Sequence, residues 1–324
     1  MMPPLLSVIV PTRDRPRMLE RALQSLQRQT WHPLEAVIVD DASTGSSTDA
    51  IATAFAHRGL RVRLHRRDVP GGPVVTRNDG LILAEGDYIS FLDDDDTLVP
   101  NAIEVAMTWM NEHPAAVACS SWHQVIHSTS RAEVFRGPTR CDANVLRWFN
   151  SIGILFGVFS RSTAGNILRF DPELQACEDW DLWLRLAEIQ PITVLPAPLY
   201  AYYQHTSARV SRADGIGAAG RSSFLTKHHA SMSSGCVAYH AACIALLEGR
   251  ARTAVLTSLL QRGPFAAAQA GALLALQYAA VQGGLRLRDP GLPSRTVTRV
   301  ITHSRVGSHR CSFCDRENGV SRSG

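Results

Sequence analysis

Four consecutive aspartates, Asp93–Asp96, follow the apolar run Tyr88-Ile-Ser-Phe-Leu92. Side chains of an extended chain alternate, so Asp93 and Asp95 are expected on one side and Asp94 and Asp96 elsewhere. Converging carboxylates repel one another unless a cation lies between them. Mg²⁺ or Mn²⁺ suits such hard oxygen ligands, and a substrate diphosphate would complete the shell. The plain alternative is a solvated acidic turn ahead of a helix starting near Pro100. A second acidic pair, Asp40-Asp41, ends another apolar run and suits either hydrogen bonds from a base or ribose or an Asx turn with Ala42-Ser43-Thr44-Gly45. A third group, Cys177-Glu178-Asp179-Trp180-Asp181, opens the helical stretch LWLRLAEI. A carboxylate there either caps the helix or takes a proton from an attacking hydroxyl. Trp180 and Trp183 offer the apolar face of a sugar ring a platform, or fill the core. Arg77 and Asn78 are candidates for the same crevice.

The elements that must position these groups are legible as alternating strands and helices. Short apolar runs at Ser7–Val10, Ala36–Asp40, Val62–His65 and Tyr88–Leu92 are separated by helical patterns, which predicts an α/β fold with a mostly parallel, Rossmann-like sheet flanked by helices. Leu19, Ala22, Leu23 and Leu26 follow helical spacing behind Pro16; a second helix is expected from Ser46 or Ser47 to Gly59, and a third ahead of Gly86. In such a sheet ligands bind beyond the carboxyl ends of the strands, where the turns read Pro11-Thr12-Arg13-Asp14, Asp40-Asp41 and Asp93–Asp96. None is a GxGxxG or a GxxxxGK[ST], which disfavours nicotinamide and P-loop sites. From 121 to 175 the pattern loosens. A helix is expected from Glu178, then apolar runs at Ile192–Leu195 and Leu199–Tyr203, and alanine-rich helices beyond Gly215. The expected division is residues 1–210 as the catalytic unit, 211–285 as an all-α appendage and 286–324 as a basic tail.

Composition bounds the rest. The chain has 324 residues, 45% of them hydrophobic, and seven cysteines, which excludes a disordered tail and a disulfide scaffold. Its formal charge is +4, yet Arg286–Arg322 holds eight arginines against Asp289, Asp315 and Glu317, a local +5 that leaves residues 1–285 near −1. That balance gives no reason to expect nucleic acid as a partner. The first residues, MMPPLLSVIVPTRDR, place their charge after a short apolar run and are expected to be a strand rather than a secretory signal, hence a cytoplasmic chain with free thiols. Gly263–Leu285 is long enough to span a bilayer, but its glutamines and alanines favour a packed helix. Cys311 and Cys314, with His303 and His309 nearby, are expected to be exposed thiols rather than zinc ligands.

The ordered motifs SVIVPTRDR, VIVDDAS, GGPVVTRNDGL with GDYISFLDDDD, CEDWDLWLRLA and YAYYQH resemble the family 2 glycosyltransferases of GT-A fold over residues 5 to about 210. The resemblance implies an inverting transfer from a nucleotide-diphosphate sugar, most often a uridine one, with Mg²⁺ or Mn²⁺. It implies that Pro11 and Thr12 line the nucleotide pocket, that Asp41 and less directly Asp40 contact the nucleoside, and that Arg77 lies beside it. Asp93–Asp95 becomes the DxD, with Asp95 and Asp93 toward the metal and Asp93 or Asp94 near the ribose. Asp179 becomes the general base, Glu178 and Trp180 lie on the acceptor side, and His205 approaches the diphosphate or metal. Cys177 and Thr76 depart from the glycine and alanine common in the family, without loss of a functional group.

Two rival classes remain at this level: a nucleotidyltransferase, which would carry a glycine-rich loop that PTRDRPR lacks, and a non-catalytic binding module. The basic tail suits peripheral contact with an anionic membrane surface carrying a lipid-linked glycan acceptor.

Overall fold

A computed structural model describes residues 3–127, 132–152, 156–204, 216–249 and 268. His205, Gly263–Leu285 and the Cys311/Cys314 tail lie outside the described residues. The first half alternates strand and helix: β1 (Leu6–Thr12), α1 (Pro16–Gln27), β2 (Leu34–Asp40), α2 (Ser47–His57), β3 (Arg61–Arg66), α3 (Gly72–Leu83) and β4 (Tyr88–Phe91). These strands pair in parallel in the order β3-β2-β1-β4. The Val, Ile and Leu residues of β1, β2 and β4 are buried, as a parallel sheet under helices requires, while Val62 and Leu64 of the edge strand β3 are half-buried. Leu6, Val8 and Val10 pack on α1 and α2, while Ile9 points the other way, toward Val74 of α3. Gly80 of α3 allows this contact, because a Cβ there would lie 2.4 Å from an Ile9 methyl.

Beyond β4 the chain forms β5 (Thr97–Leu98), α4 (Ala102–Glu112), β6 (Ala118–His127), β7 (Ala132–Phe135), β8 (Arg140–Cys141), α5 (Ala143–Trp148), β9 (Gly157–Ser160), α6 (Arg161–Ala164), α7 (Glu178–Ile189) and β10 (Ile192–Gln204). The ten-stranded sheet continues β4-β9-β6-β10-β5. Strand β9 is antiparallel to both β4 and β6, while β10 runs parallel to β6. The loosened stretch after residue 121 therefore holds the end of a ten-residue strand. Its Ser120 and Ser121 are buried but satisfied, donating to the carbonyls of Phe156 and Trp122 at 2.7 and 2.9 Å. The two apolar runs after residue 191 are one strand, broken in register around Pro198, where proline removes a ladder donor.

Two helices follow, α8 (Ile216–His228) and α9 (Ser234–Leu247). Phe224 of α8 enters the core beside Trp180, and Tyr239 of α9 lies 5.8 Å from the Trp148 ring. Among the described residues no helix is long and apolar enough to cross a membrane.

Candidate active site

The carboxyl ends of β1, β2 and β4 and the first turn of α7 meet at one edge of the sheet. Asp93–Asp96 is not extended. The Asp96 amide donates to the Asp93 carbonyl at 3.1 Å, closing a turn that cancels the expected alternation. Asp93, Asp95 and Asp96 instead converge, each offering an oxygen within 4.8 Å of the others. Asp94 turns toward β1, accepting from Thr12 Oγ1 at 2.8 Å and Arg15 Nη1 at 3.2 Å. Burial raises the Asp94 carboxyl to about 6 despite the Thr12 hydrogen bond and the Arg15 charge. Arg15 also reaches Asp95 at 3.3 Å, and Arg21 donates to the Asp95 carbonyl at 2.5 Å. Asp96 accepts from Tyr200 Oη at 2.7 Å and the Tyr203 amide at 2.9 Å, so β10 holds the far end of the turn.

Arg77, on α3, joins the two acidic groups. Its Nη2 meets Asp93 and its Nη1 meets Glu178, each at 2.8 Å, with the side chain only 7% exposed. Burial disfavours its charge, but the Asp93 and Glu178 carboxylates outweigh that and raise its pKa. Asp179, next in the chain, is half-buried; its Oδ1 accepts from the Trp180 amide at 2.7 Å and its Oδ2 faces Asn150 Nδ2 at 3.4 Å. Burial first, and then the Glu178 charge, raise Asp179 to about 6. The arrangement places a carboxylate able to accept a proton near neutral pH beside a cluster of hard oxygen ligands.

The second strand end is more self-contained. Asp40 is fully buried and accepts from the Ser43 amide at 2.8 Å and from Arg66 Nη2 at 3.0 Å. Burial opposes its ionisation, but these hydrogen bonds lower its pKa overall. Its carboxylate serves the Asx turn after β2. Asp41 accepts from the amides of Gly71 and Gly72 at 2.7 and 2.9 Å, tying β2 to the start of α3. Gly72 has a φ of +76°, a conformation that glycine adopts without a side-chain clash. Asn78 is occupied away from the crevice, making paired hydrogen bonds with the Phe170 backbone at 2.9 Å.

Residues 7–160 match the family described as glycosyl transferase family 2. Residues 7–160 are thus a glycosyltransferase family 2 segment. The chain is 29% identical to the putative colanic acid biosynthesis glycosyl transferase WcaA of Escherichia coli K12, over 56% of this chain and 66% of the relative. It is 36% identical to the GalNAc(5)-diNAcBac-PP-undecaprenol beta-1,3-glucosyltransferase of Campylobacter jejuni, over 35% of this chain and 37% of the relative. It therefore covers less than two thirds of the length of these relatives. Among solved structures, S. aureus TarS 1-349 in complex with UDP-GlcNAc superposes with a TM-score of 0.57 at 18% identity, covering 87% of this chain and 93% of that one. The fold is GT-A.

Within this GT-A frame Pro11, Thr12, Arg77, Asp93, Asp94, Asp95, Glu178 and Asp179 share the strand-end face, with Asp41 at its β2 side. The donors fit a divalent metal: three carboxylates converge in the cluster of Asp93, Asp95 and Asp96, all hard oxygen ligands. Trp180 is a correction. It is 1% exposed, donates its indole N–H to the Leu146 carbonyl at 2.6 Å and stacks on Phe224, so it presents no face to a sugar. Trp183 is likewise buried, stacked on Phe159 at 4.9 Å. Sequence reasoning passed over Arg15, Asn150 and Tyr200. Arg15 reaches the acidic turn from the PTRDR segment, where it was visible as a charge, whereas Asn150 and Tyr200 arrive from distant segments without a motif.

Proposed function

We propose that this glycosyltransferase moves a sugar, with inversion, from a nucleotide-diphosphate donor to an acceptor hydroxyl, with Asp179 as general base. The observation that carries the reading is Arg77, whose one guanidinium binds both Asp93 of the acidic turn and Glu178 beside Asp179. Donor-holding and proton-accepting groups are thereby adjacent. Mg²⁺ or Mn²⁺, held by Asp95 and Asp93 with Asp96 completing the carboxylate group, would neutralise charge on the departing diphosphate. Pro11, Thr12 and Asp41 are assigned to the nucleoside side, Asp94 to the ribose side through its Thr12 contact, and Arg77 to the diphosphate side. Asp40 acts behind them by fixing the β2 turn. His205, directly after β10, is assigned to the diphosphate or metal.

Asp179 takes the acceptor proton as the acceptor oxygen bonds to the anomeric carbon from the face opposite the diphosphate, whose bond to that carbon breaks. Glu178, neutralised by Arg77, borders the acceptor side. A UDP-sugar is the proposed donor, supported by the UDP-GlcNAc bound by TarS. A glycan or lipid-linked acceptor at a membrane surface is supported by the undecaprenol-linked substrate in the name of the Campylobacter relative.

The test is a panel of UDP-sugars with Mn²⁺, reading released UDP and the anomer formed, with Asp179→Asn beside the unmodified chain. Turnover should fall by about a thousandfold in Asp179→Asn while UDP affinity stays within about twofold. Full turnover in that variant would remove the base assignment; released pyrophosphate would mean nucleotidyl transfer.

A further inference from the structure

Helix α8 touches the chain on both sides of Asp179. After it, Trp180 stacks on Phe224 with ring centroids 4.2 Å apart. Asp181 is fully buried, and its Oδ1 meets Lys227 Nζ and His228 Nε2, each at 2.8 Å, while its Oδ2 accepts from Arg185 Nε at 2.8 Å. Before it, Gly220 lies against the turn into α7: a Cβ at position 220 would come within 2.5 Å of the Ala176 Cβ and 3.1 Å of its carbonyl. Between these contacts Cys177 holds a φ of +63°, a strained conformation for a non-glycine residue that the surroundings must maintain. A third route runs through the α8 side chain Arg221, whose Nε donates to His240 Nδ1 at 3.1 Å. His240 Nε2 donates to the Arg147 carbonyl at 2.7 Å, three residues ahead of Asn150, the neighbour of Asp179.

We propose that α8 is a positioning element for the general base, with Gly220, Lys227 and His228 setting where the Asp179 carboxylate points. The inference rests on the proposed role of Asp179. Gly220 packs on Ala176, and the ion pairs of Lys227 and His228 go to Asp171 and Asp181, so α8 acts on the proton-accepting half of the site and not on the donor-holding half. Base and acceptor must meet within a fraction of an ångström of the reactive geometry, so a small shift of the first turn of α7 costs turnover without costing donor affinity. Lys227 is the one lysine among the 33 basic residues. Its compact ammonium bridges Asp171 at 2.5 Å and Asp181 at 2.8 Å, linking the turn after Phe170 to α7.

The full chain is compared with Gly220→Ala, with the pair Lys227→Met and His228→Ala, and with His228→Gln, which keeps an N–H donor toward Asp181. Calorimetry with UDP and Mn²⁺ gives donor-site affinity and shows that the site is folded, and UDP release from the best sugar of the panel gives kcat and KM. The expected result is a kcat lowered at least about tenfold in Gly220→Ala and in the double variant, UDP affinity within about twofold, and His228→Gln restored to within about threefold. A kcat within threefold of the unmodified chain in both variants, or UDP affinity lost in step with kcat, overturns the proposal. If Asp179→Asn loses turnover while the α8 variants keep it, the base assignment stands and the positioning role falls. If Asp179→Asn keeps full turnover, both fall.

Discussion

Asp179 is raised to about 6 chiefly because burial penalises its charge and Glu178 adds to the repulsion. A general base must be ionised to accept a proton, so kcat should climb about tenfold per pH unit below 6 and level off above it. Asp94, also raised to about 6 by burial, is the one other carboxyl on this face with such a value among the described residues. A kcat-against-pH series on the unmodified chain and on Asp94→Asn separates them: the limb should persist in the variant. The metal assignment has its own test. Asp95→Ala should weaken Mn²⁺-dependent UDP binding by about tenfold or more in calorimetry, and unchanged affinity would take Asp95 out of the ligand set. At this scale the acidic motifs were readable, because carboxylates in a row behind an apolar strand have few uses. Their division of labour was not. Alternation paired Asp93 with Asp95 alone, and the turn closed by the Asp96 amide brought in Asp96.

Elements of strong periodicity were equally readable: β1 to β4 and α1 to α3 fall where apolar spacing and glycine stops place them. The strands between residues 117 and 160 escaped, since β6 buries serines and His123 that look like loop residues until their neighbours are known. Strand β9 depends on Gly157, where a Cβ would lie 2.5 Å from the Cys119 carbonyl and 2.7 Å from the Trp183 ring. Gly157→Ala should therefore force β9 from β6 and lower stability by about 1–3 kcal/mol, measured as a shifted urea midpoint with unchanged slope. A midpoint within error of the unmodified chain would mean that the two strands relax without cost.

Across the whole molecule the charge balance acquires a geography. The acidic turn faces Arg15, Arg21 and Arg77, while Asp181 is enclosed by Arg185, Lys227 and His228 at the junction of α7 and α8. Burial opposes ionisation of Asp181, but His228, Arg185 and Lys227 together hold it down at about 2 against a reference of 3.8. A depressed folded-state pKa means stability that is present above the unfolded value and lost as pH falls from about 4 toward 2, worth about 2 kcal/mol. Urea unfolding at pH 5 and pH 3 should show this loss in the unmodified chain and a flatter dependence in Asp181→Asn. The sequence by itself determined the strand and helix alternation, the strand-end location of the acidic motifs and the family resemblance, because these depend on local periodicity and on short motifs. Only the tertiary structure decided that Trp180 is core, that Asp40 is spent on its own turn, and that a helix some forty residues downstream grips the turn carrying Asp179. Those outcomes depend on contacts between distant segments, where burial and partner geometry, not residue type, assign a carboxylate or an indole its work.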